Sequence, residues 1–136
     1  MLDIAYIALG SNLGDRAAHL SAARAALATL PLSRVVGASS VEETAPIGPV
    51  PQSPFLNQMV AVETSLSPRA LLDALLDIER AEGRVRAERW GPRSLDLDIV
   101  RFASQTVAEP GLTVPHPELP RRDFWQRELA ELGAAP

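Results

Sequence analysis

Four strand-like runs alternate with two helix-like stretches, and this order restricts the fold more than any other feature of the sequence. Apolar and β-branched residues mark the strands, over residues 3–9, 34–43, 56–65 and 95–102. Leucines at helical spacing mark helices that follow the capping residues Asp15 and Ser67. The order β-α-β, β-α-β packs most simply as an antiparallel sheet with both helices on one face. The sequence therefore predicts a ferredoxin-like α+β fold, and other two-layer α+β orders share the same periodicity.

The segments between these elements are of two kinds. Residues 44–54 contain four prolines and Gly48, which predicts a loop, and residues 110–120 are read as a proline-rich tail. Residues 84–94 are polar and rich in arginine. The first strand is apolar on both faces, so we expect it to be central. His19, on the first helix, is expected at the surface.

Composition excludes several classes of protein. The chain has 136 residues, 46% of them apolar, which predicts one globular domain over residues 1–136. It has no cysteine and no lysine, so thiolate, Fe–S, Walker A and Schiff-base chemistry are excluded. The net charge of −4 argues against nucleic-acid binding. No membrane-spanning run or signal peptide is recognisable, and we expect a cytoplasmic protein.

Two aspartates one residue apart suggest a metal site. Asp96 and Asp98 belong to a predicted strand, so their side chains share one face, roughly 7 Å apart at Cα. Carboxylates at this spacing repel each other unless a cation lies between them. Mg²⁺ is bound in this way by one or two carboxylates, waters and substrate phosphates. An amphipathic strand with a solvated acidic face would show the same pattern.

A basic stretch precedes the acidic strand. Arg84, Arg86, Arg89 and Arg93 stand against a single acidic residue, Glu88. Guanidinium groups bind phosphate oxygens in pairs, so this charge layout suits a metal-bound nucleotide. The alternatives are a solvated loop, or a helix end whose arginines pair with Glu79, Glu82 and Glu88.

These residues resemble a known family, 6-hydroxymethyl-7,8-dihydropterin pyrophosphokinase (HPPK). The segment from Arg89 to Asp98, R-W-G-P-R-S-L-D-L-D, is the specific part of the resemblance. Residues 8–14 look like the first strand and loop of the family, and residues 112–117 with Arg122 and Phe124 look like its late nucleotide-side segment. The resemblance implies a ferredoxin-like enzyme that transfers the β,γ-diphosphate of ATP to 6-hydroxymethyl-7,8-dihydropterin, releasing AMP, in folate biosynthesis.

The resemblance also implies roles for individual residues. Arg84, Arg93, Asp96 and Asp98 are the catalytic candidates, and the two aspartates would bind Mg²⁺, with two ions expected alongside ATP. The ATP-binding candidates are Glu79, Arg84, Arg86, Trp90, Arg93, Ile99, Thr113, His116 and Arg122. The pterin-binding candidates are Thr44, Ala45, Ile47, Phe55, Asn57, Trp90 and Phe124. Phe55 and Phe124 would sandwich the flat pterin ring and Asn57 would read its edge; ordinary core packing is the alternative for both aromatic residues.

Two other classes of protein remain open at this stage. An RNA-binding module can combine a ferredoxin-like sheet with aromatic residues and an arginine loop, although the acidic charge and the aspartate pair argue against it. An interaction domain without activity is the third interpretation. For the enzyme we expect a monomer. For the enzyme we also expect residues 45–54 and 84–93 to close over the substrates.

Overall fold

The fold is built on an antiparallel sheet, seen in a computed structural model that describes residues 2–46, 48–83, 94–103 and 105–134. Its strands and helices follow in chain order: β1 (Asp3–Ser11), α1 (Arg16–Ala28), β2 (Ser33–Ala38), β3 (Glu42–Thr44), β4 (Phe55–Thr64), α2 (Pro68–Ala81), β5 (Asp96–Phe102), β6 (Val107–Glu109), β7 (Leu112–Val114), a 3₁₀ turn (Leu119–Arg121) and α3 (Asp123–Glu131).

The strand order of the main sheet is β2-β4-β1-β5, with short β3 paired to the other end of β4. All of these pairings are antiparallel. Together with the order β1-α1-β2-β4-α2-β5 along the chain, this topology confirms the ferredoxin-like α+β fold. Strand β1 lies between β4 and β5, so its predicted central position is also confirmed, and β5 forms one edge of the sheet.

Both predicted helix starts are confirmed. The side chain of Asp15 accepts a hydrogen bond from Ala18 N, and that of Ser67 accepts one from Ala70 N. Gly83, directly after the C-cap of α2, has a φ of +80°, which glycine adopts without strain. Helices α1 and α2 cover the same face of the sheet, where leucines of both helices pack on Ile7, Val60 and Ile99.

Three sequence-based expectations are wrong. Residues 34–43 form two strands, β2 and β3, because the β2–β4 pairing shifts register near Gly37 and the two strands pair with different parts of β4. His19 is not a surface residue: its side chain is 22% exposed and its Nδ1 lies 2.9 Å from Glu82 Oε1. The packing of α1 beside α2 brings these two residues together.

The third error is the proline-rich tail. Residues 107–114 form a β-hairpin that turns at Gly111, which has a φ of +73°. A further helix, α3, then covers the sheet face opposite α1 and α2. Its Trp125 and Leu129, four residues apart, pack on Ala8 and Met59. In the described ranges, no helix is long and apolar enough to cross a membrane.

Candidate active site

Asp96 and Asp98 lie on the sheet face that α3 covers. Their neighbours Leu97 and Ile99 point to the opposite face and are buried under α1 and α2, so the alternation expected of a strand is present. Both aspartates are partly exposed, and Asp98 Oδ1 lies 3.6 Å from His116 Nε2. The two carboxylates and this imidazole therefore form one polar cluster.

His116 is held in one orientation by its backbone and its ring. Its N–H donates to Val100 O at 2.9 Å, and its Nδ1 accepts a hydrogen bond from Glu118 N at 3.0 Å. Because Nδ1 is an acceptor, the neutral ring carries its proton on Nε2, the atom that faces Asp98. The ring also stands edge-on to Trp125, with centroids 4.9 Å apart.

The strand register aligns the candidate pterin and metal residues in a single row. Gly10 on β1 pairs with Asn57 on β4 and with Asp96 on β5. In the next row on the same face, Ala8 pairs with Met59 and Asp98. Strands are spaced about 4.8 Å apart, so Asn57 and Asp96 are separated by roughly 10 Å across β1. The residue between them, Gly10, has no side chain, whereas Ala8 in the next row is buried under Trp125 and Leu129.

Three of the candidate pterin residues, Thr44, Phe55 and Asn57, come together on one side of this row. Phe55 and Asn57 share the face of β4, and an ideal Cβ on Gly10 would lie 3.4 Å from Asn57 Oδ1 and 3.5 Å from Phe55 Cδ1. Asn57 Nδ2 donates to Thr44 Oγ1. Phe124, at the start of α3, packs against the core cluster of this same face. Ala45 is exposed beside Thr44, and Ile47 lies outside the described residues.

A cleft of about 510 Å³ runs along β5, the edge strand. It is lined by four of the predicted ATP-binding or metal-binding residues, namely Asp98, Ile99, Thr113 and His116. Edge strands offer backbone hydrogen-bonding groups that no neighbouring strand uses. The cleft therefore provides a polar wall, a backbone edge and a histidine in one place.

Sequence reasoning missed two charged residues of this cleft, Glu118 and Arg121. It selected Arg122 instead, whose guanidinium carbon lies 4.4 Å from the centroid of the Trp125 ring. Arg122 Nε is buried and has no hydrogen-bond partner among the described residues. The adjacent arginines point to different surroundings because the 3₁₀ turn ends between them. The sequence shows two adjacent arginines, but it does not indicate which of them faces the cleft.

Glu79 is placed behind the aspartate pair. It is 3% exposed, and its Oε2 accepts a hydrogen bond from Leu97 N at 2.7 Å. Leu97 separates the two aspartates, so this carboxylate fixes the backbone that carries them. The prediction that Glu79 contacts ATP stays a prediction.

The aspartate pair fits a Mg²⁺ ion whose other ligands come from elsewhere. Within the described ranges, no cluster of three or more His, Asp or Glu side chains is positioned as a complete metal site. Two carboxylates completed by waters and phosphate oxygens are the usual donor set for Mg²⁺ with a nucleotide. Four other candidates, Arg84, Arg86, Trp90 and Arg93, lie outside the described residues.

An acidic strand beside an edge cleft on a ferredoxin-like sheet is an arrangement suited to nucleotide-dependent phosphoryl transfer. Residues 6–134 match the sequence profile of 7,8-dihydro-6-hydroxymethylpterin-pyrophosphokinase (HPPK). The chain therefore belongs to the HPPK family, which confirms the resemblance seen in the sequence.

Individual relatives agree with this assignment. The chain is 45% identical over 133 residues to a protein of Pseudomonas aeruginosa, covering 98% of this chain and 82% of that protein. It is 46% identical over 132 residues to a protein of Bacillus subtilis, covering 97% of this chain and 79% of that one. A protein of Methylorubrum extorquens is 44% identical over 129 residues, with 95% and 82% covered. All three are named 2-amino-4-hydroxy-6-hydroxymethyldihydropteridine pyrophosphokinase.

Proposed function

We propose that this chain transfers the β,γ-diphosphate of ATP to 6-hydroxymethyl-7,8-dihydropterin, giving AMP and the pterin diphosphate in folate biosynthesis. Membership of the HPPK family over nearly the whole chain supports this activity. The observation that carries the residue assignments is the row formed by Asn57, Gly10 and Asp96. It places the candidate pterin-reading amide and the candidate metal-binding carboxylate on the same face of the sheet, on either side of β1.

The two substrates occupy neighbouring sites, the pterin on this face and ATP at the β5 edge of the sheet. ATP lies in the cleft along β5, against Ile99, Thr113 and His116. The pterin ring lies between Phe55 and Phe124, and its hydroxymethyl group points over β1 toward Asp96. Gly10, which has no side chain, lies between Asn57 and Asp96 and lets the acceptor and the diphosphate meet above β1. Alignment of the hydroxymethyl group with the diphosphate to be transferred is the main requirement for this type of reaction.

Asn57 is oriented before the substrate arrives. One of its amide hydrogens is used by Thr44 Oγ1, so the other hydrogen and Oδ1 are directed to the pterin edge. A pterin edge alternates donors and acceptors, and a fixed amide pairs with both. Thr44 and Ala45 form the adjoining wall, with Ile47 proposed beside them from the family resemblance.

Asp96 and Asp98 would hold Mg²⁺, and we propose two ions. When bound, Mg²⁺ would neutralise the negative charge of the polyphosphate during its transfer from ATP to the pterin. Glu79 holds the strand that presents both aspartates. His116 donates from Nε2 to a phosphate oxygen, since its other nitrogen is already occupied by Glu118 N. Arg84, Arg86 and Arg93 neutralise the transferring diphosphate and Trp90 closes over the pterin, both proposed from the family resemblance.

Product analysis tests this function directly. With ATP, Mg²⁺ and 6-hydroxymethyl-7,8-dihydropterin, the products should be AMP and the pterin diphosphate. Formation of ADP and a pterin monophosphate would show a different transfer. Thermal unfolding separates the other two classes of protein: Mg²⁺ with a non-hydrolysable ATP analogue should raise the Tm of the enzyme by linkage, and should leave an RNA-binding module or an inactive domain unchanged.

A further inference from the structure

Two glutamates that this mechanism does not use face each other between α3 and β3. Glu128 is 1% exposed, and neither of its carboxyl oxygens meets a hydrogen-bond donor among the described residues. Its side-chain hydrogen-bonding partner is the carboxyl group of Glu42. A carboxylate only accepts hydrogen bonds, so two carboxyl groups can be bonded only when one of them carries a proton.

The surroundings place that proton on Glu128. Glu42 also accepts a hydrogen bond from Arg127 at 2.8 Å. Burial acts to raise the pKa of Glu42, but the hydrogen bonds from Arg127 and Glu128 lower it overall. Burial, with the adjacent Glu42 carboxylate, raises the pKa of Glu128 to about 9.

Other charges near Glu128 change this result little. The negative charge of Glu131 adds to the rise and the positive charge of Arg127 opposes it. Strand β4 presents Asn57 and Met59 to this face, and neither ionises. The further ionisable residues that lie against α3 are Tyr6, Arg101, His116 and Arg122.

The Glu42–Glu128 contact belongs to a set of bonds that fasten α3 to a very short strand. Strand β3 is three residues long. Arg127 bonds Glu42, and one turn further along Glu131 accepts hydrogen bonds from Ser40 N at 2.7 Å and Ser40 Oγ at 3.0 Å. Arg127 and Glu131 are exposed, so Glu128 supplies the buried bond of the set.

This buried bond connects the two walls of the proposed pterin site. Glu42 is the cross-strand partner of Asn57, and Thr44, which orients the Asn57 amide, lies two residues further along the same strand. Phe124 precedes Glu128 by four residues, so both lie on the same side of α3. Any change in the α3–β3 spacing therefore moves Phe124 relative to Asn57.

We propose that Glu128 is a positioning residue for the pterin substrate: its protonated carboxyl donates to Glu42 and holds Phe124 and Asn57 at the spacing that the ring requires. The proposal rests on the proposed function, because it needs a pterin between these walls. Glu128 does not touch the substrate. Ionisation of Glu128 would place two carboxylates face to face, and their repulsion would separate α3 from β3.

The expected effect is a loss of pterin affinity at alkaline pH. If only the protonated form binds, the apparent Kd divides by the protonated fraction, so a pKa of about 9 gives about a twofold weaker Kd at pH 9 and about elevenfold at pH 10. The affinity for ATP should not fall in this way at alkaline pH, because the cleft along β5 is remote from β3.

Calorimetric titration of the whole chain provides the test, using 6-hydroxymethyl-7,8-dihydropterin with Mg²⁺ and a non-hydrolysable ATP analogue at pH 7.5, 9 and 10. Glu128→Gln keeps a donor to Glu42 without an ionisable proton, so its Kd should stay within twofold of the wild-type value at pH 7.5 and should lack the alkaline loss. Glu128→Met fills the same space without a donor, and should bind pterin about tenfold more weakly at every pH. Glu109→Gln, the same substitution at an exposed glutamate that pairs with Arg69 and lies outside the α3–β3 contact, serves as the matched control and should keep the wild-type pH course.

Ionisation of the ligand itself changes the Kd of every variant equally, so the comparison between variants cancels its effect. Denaturant unfolding at each pH confirms that the titrated protein is folded. Parallel pH courses for the wild type and Glu128→Gln would overturn the positioning role, as would Glu128→Met binding as tightly as Glu128→Gln. Absence of pterin binding by the wild type at pH 7.5 would instead overturn the proposed function.

Discussion

Gly10 offers a way to separate stability from substrate binding within one substitution. It lies in strand β1, outside the residues with positive φ, so alanine can adopt its backbone conformation. The new methyl group would meet Asn57 Oδ1 at 3.4 Å and Phe55 Cδ1 at 3.5 Å, which are ordinary contact distances. Gly10→Ala should therefore fold, and its methyl group should occupy space on the floor of the pterin site.

The two expected effects have opposite signs. Alanine has fewer backbone conformations than glycine in the unfolded chain, which should raise the free energy of unfolding by about 0.4–1 kcal/mol. With an unfolding entropy of roughly 2.1 cal/mol/K per residue, a chain of 136 residues should gain about 1–4 °C in Tm. Overfilling a fitted site costs about 1–3 kcal/mol, which corresponds to about a 5- to 150-fold rise in the KM for pterin.

Denaturant unfolding and steady-state AMP release measure the two effects separately. Gly37→Ala is the matched control, because its Cβ would lie 3.2 Å from Leu132 Cδ2, the end of a flexible side chain, and 3.8 Å from Ala61 Cβ, and neither is a candidate site residue. Its turnover and its KM for pterin should stay within about twofold of wild type. The reasoning is refuted if Gly10→Ala unfolds more readily than wild type, or if it is stabilised and yet keeps the wild-type KM.

Three further predictions concern charge and backbone. Asp98→Asn should leave the free energy of unfolding without Mg²⁺ unchanged or slightly higher, because it relieves the repulsion with Asp96. Turnover should fall by orders of magnitude, because a proposed Mg²⁺ ligand is lost. Unfolding of the variant would show instead that this carboxylate is structural. Gly14→Ala should lose about 1 kcal/mol or more in denaturant unfolding, because Gly14 has a φ of +75° and a Cβ would lie 3.1 Å from His19 Nε2; equal stability would contradict this. Glu128 has a pKa of about 9 in the folded state and about 4.5 in the unfolded state. Between these two pH values the folded state holds the proton and the unfolded state does not. The free energy of unfolding should therefore fall as pH rises through this range, by at most about 1.4 kcal/mol per pH unit. Glu128→Gln should remove that contribution, and equal slopes for variant and wild type would argue against it.

The features that the sequence predicted well are those that depend on local pattern. Asp15 and Ser67 cap helices because their side chains reach backbone N–H groups only three residues ahead. Asp96 and Asp98 share a face because side chains alternate along any strand. The central position of β1 followed from its apolar residues on both faces.

The features that the sequence did not predict depend on tertiary contacts. Helix α3 buries Trp125 and Leu129 but exposes most of its other residues, so its apolar stripe is too narrow to recognise in a polar run. Arg121 and Arg122 are chemically identical, and only the end of the 3₁₀ turn decides which one faces the cleft. The Glu42–Glu128 contact joins residues far apart in sequence, and neither carries a local signal.

The row of Asn57, Gly10 and Asp96 has a consequence for how the protein becomes competent during its synthesis. Its members come from the first, middle and late thirds of the chain, and α3, which supplies Phe124, follows all of them. A nascent chain that has emerged only as far as β4 holds Asn57 and Gly10 but neither aspartate, and one that ends before α3 lacks an aromatic wall. If Phe124 forms the aromatic wall of the proposed pterin site, substrate binding requires that α3 has left the ribosome and docked. Bound pterin and nucleotide would then stabilise the folded chain, and products that end before α3 would gain no such protection from degradation.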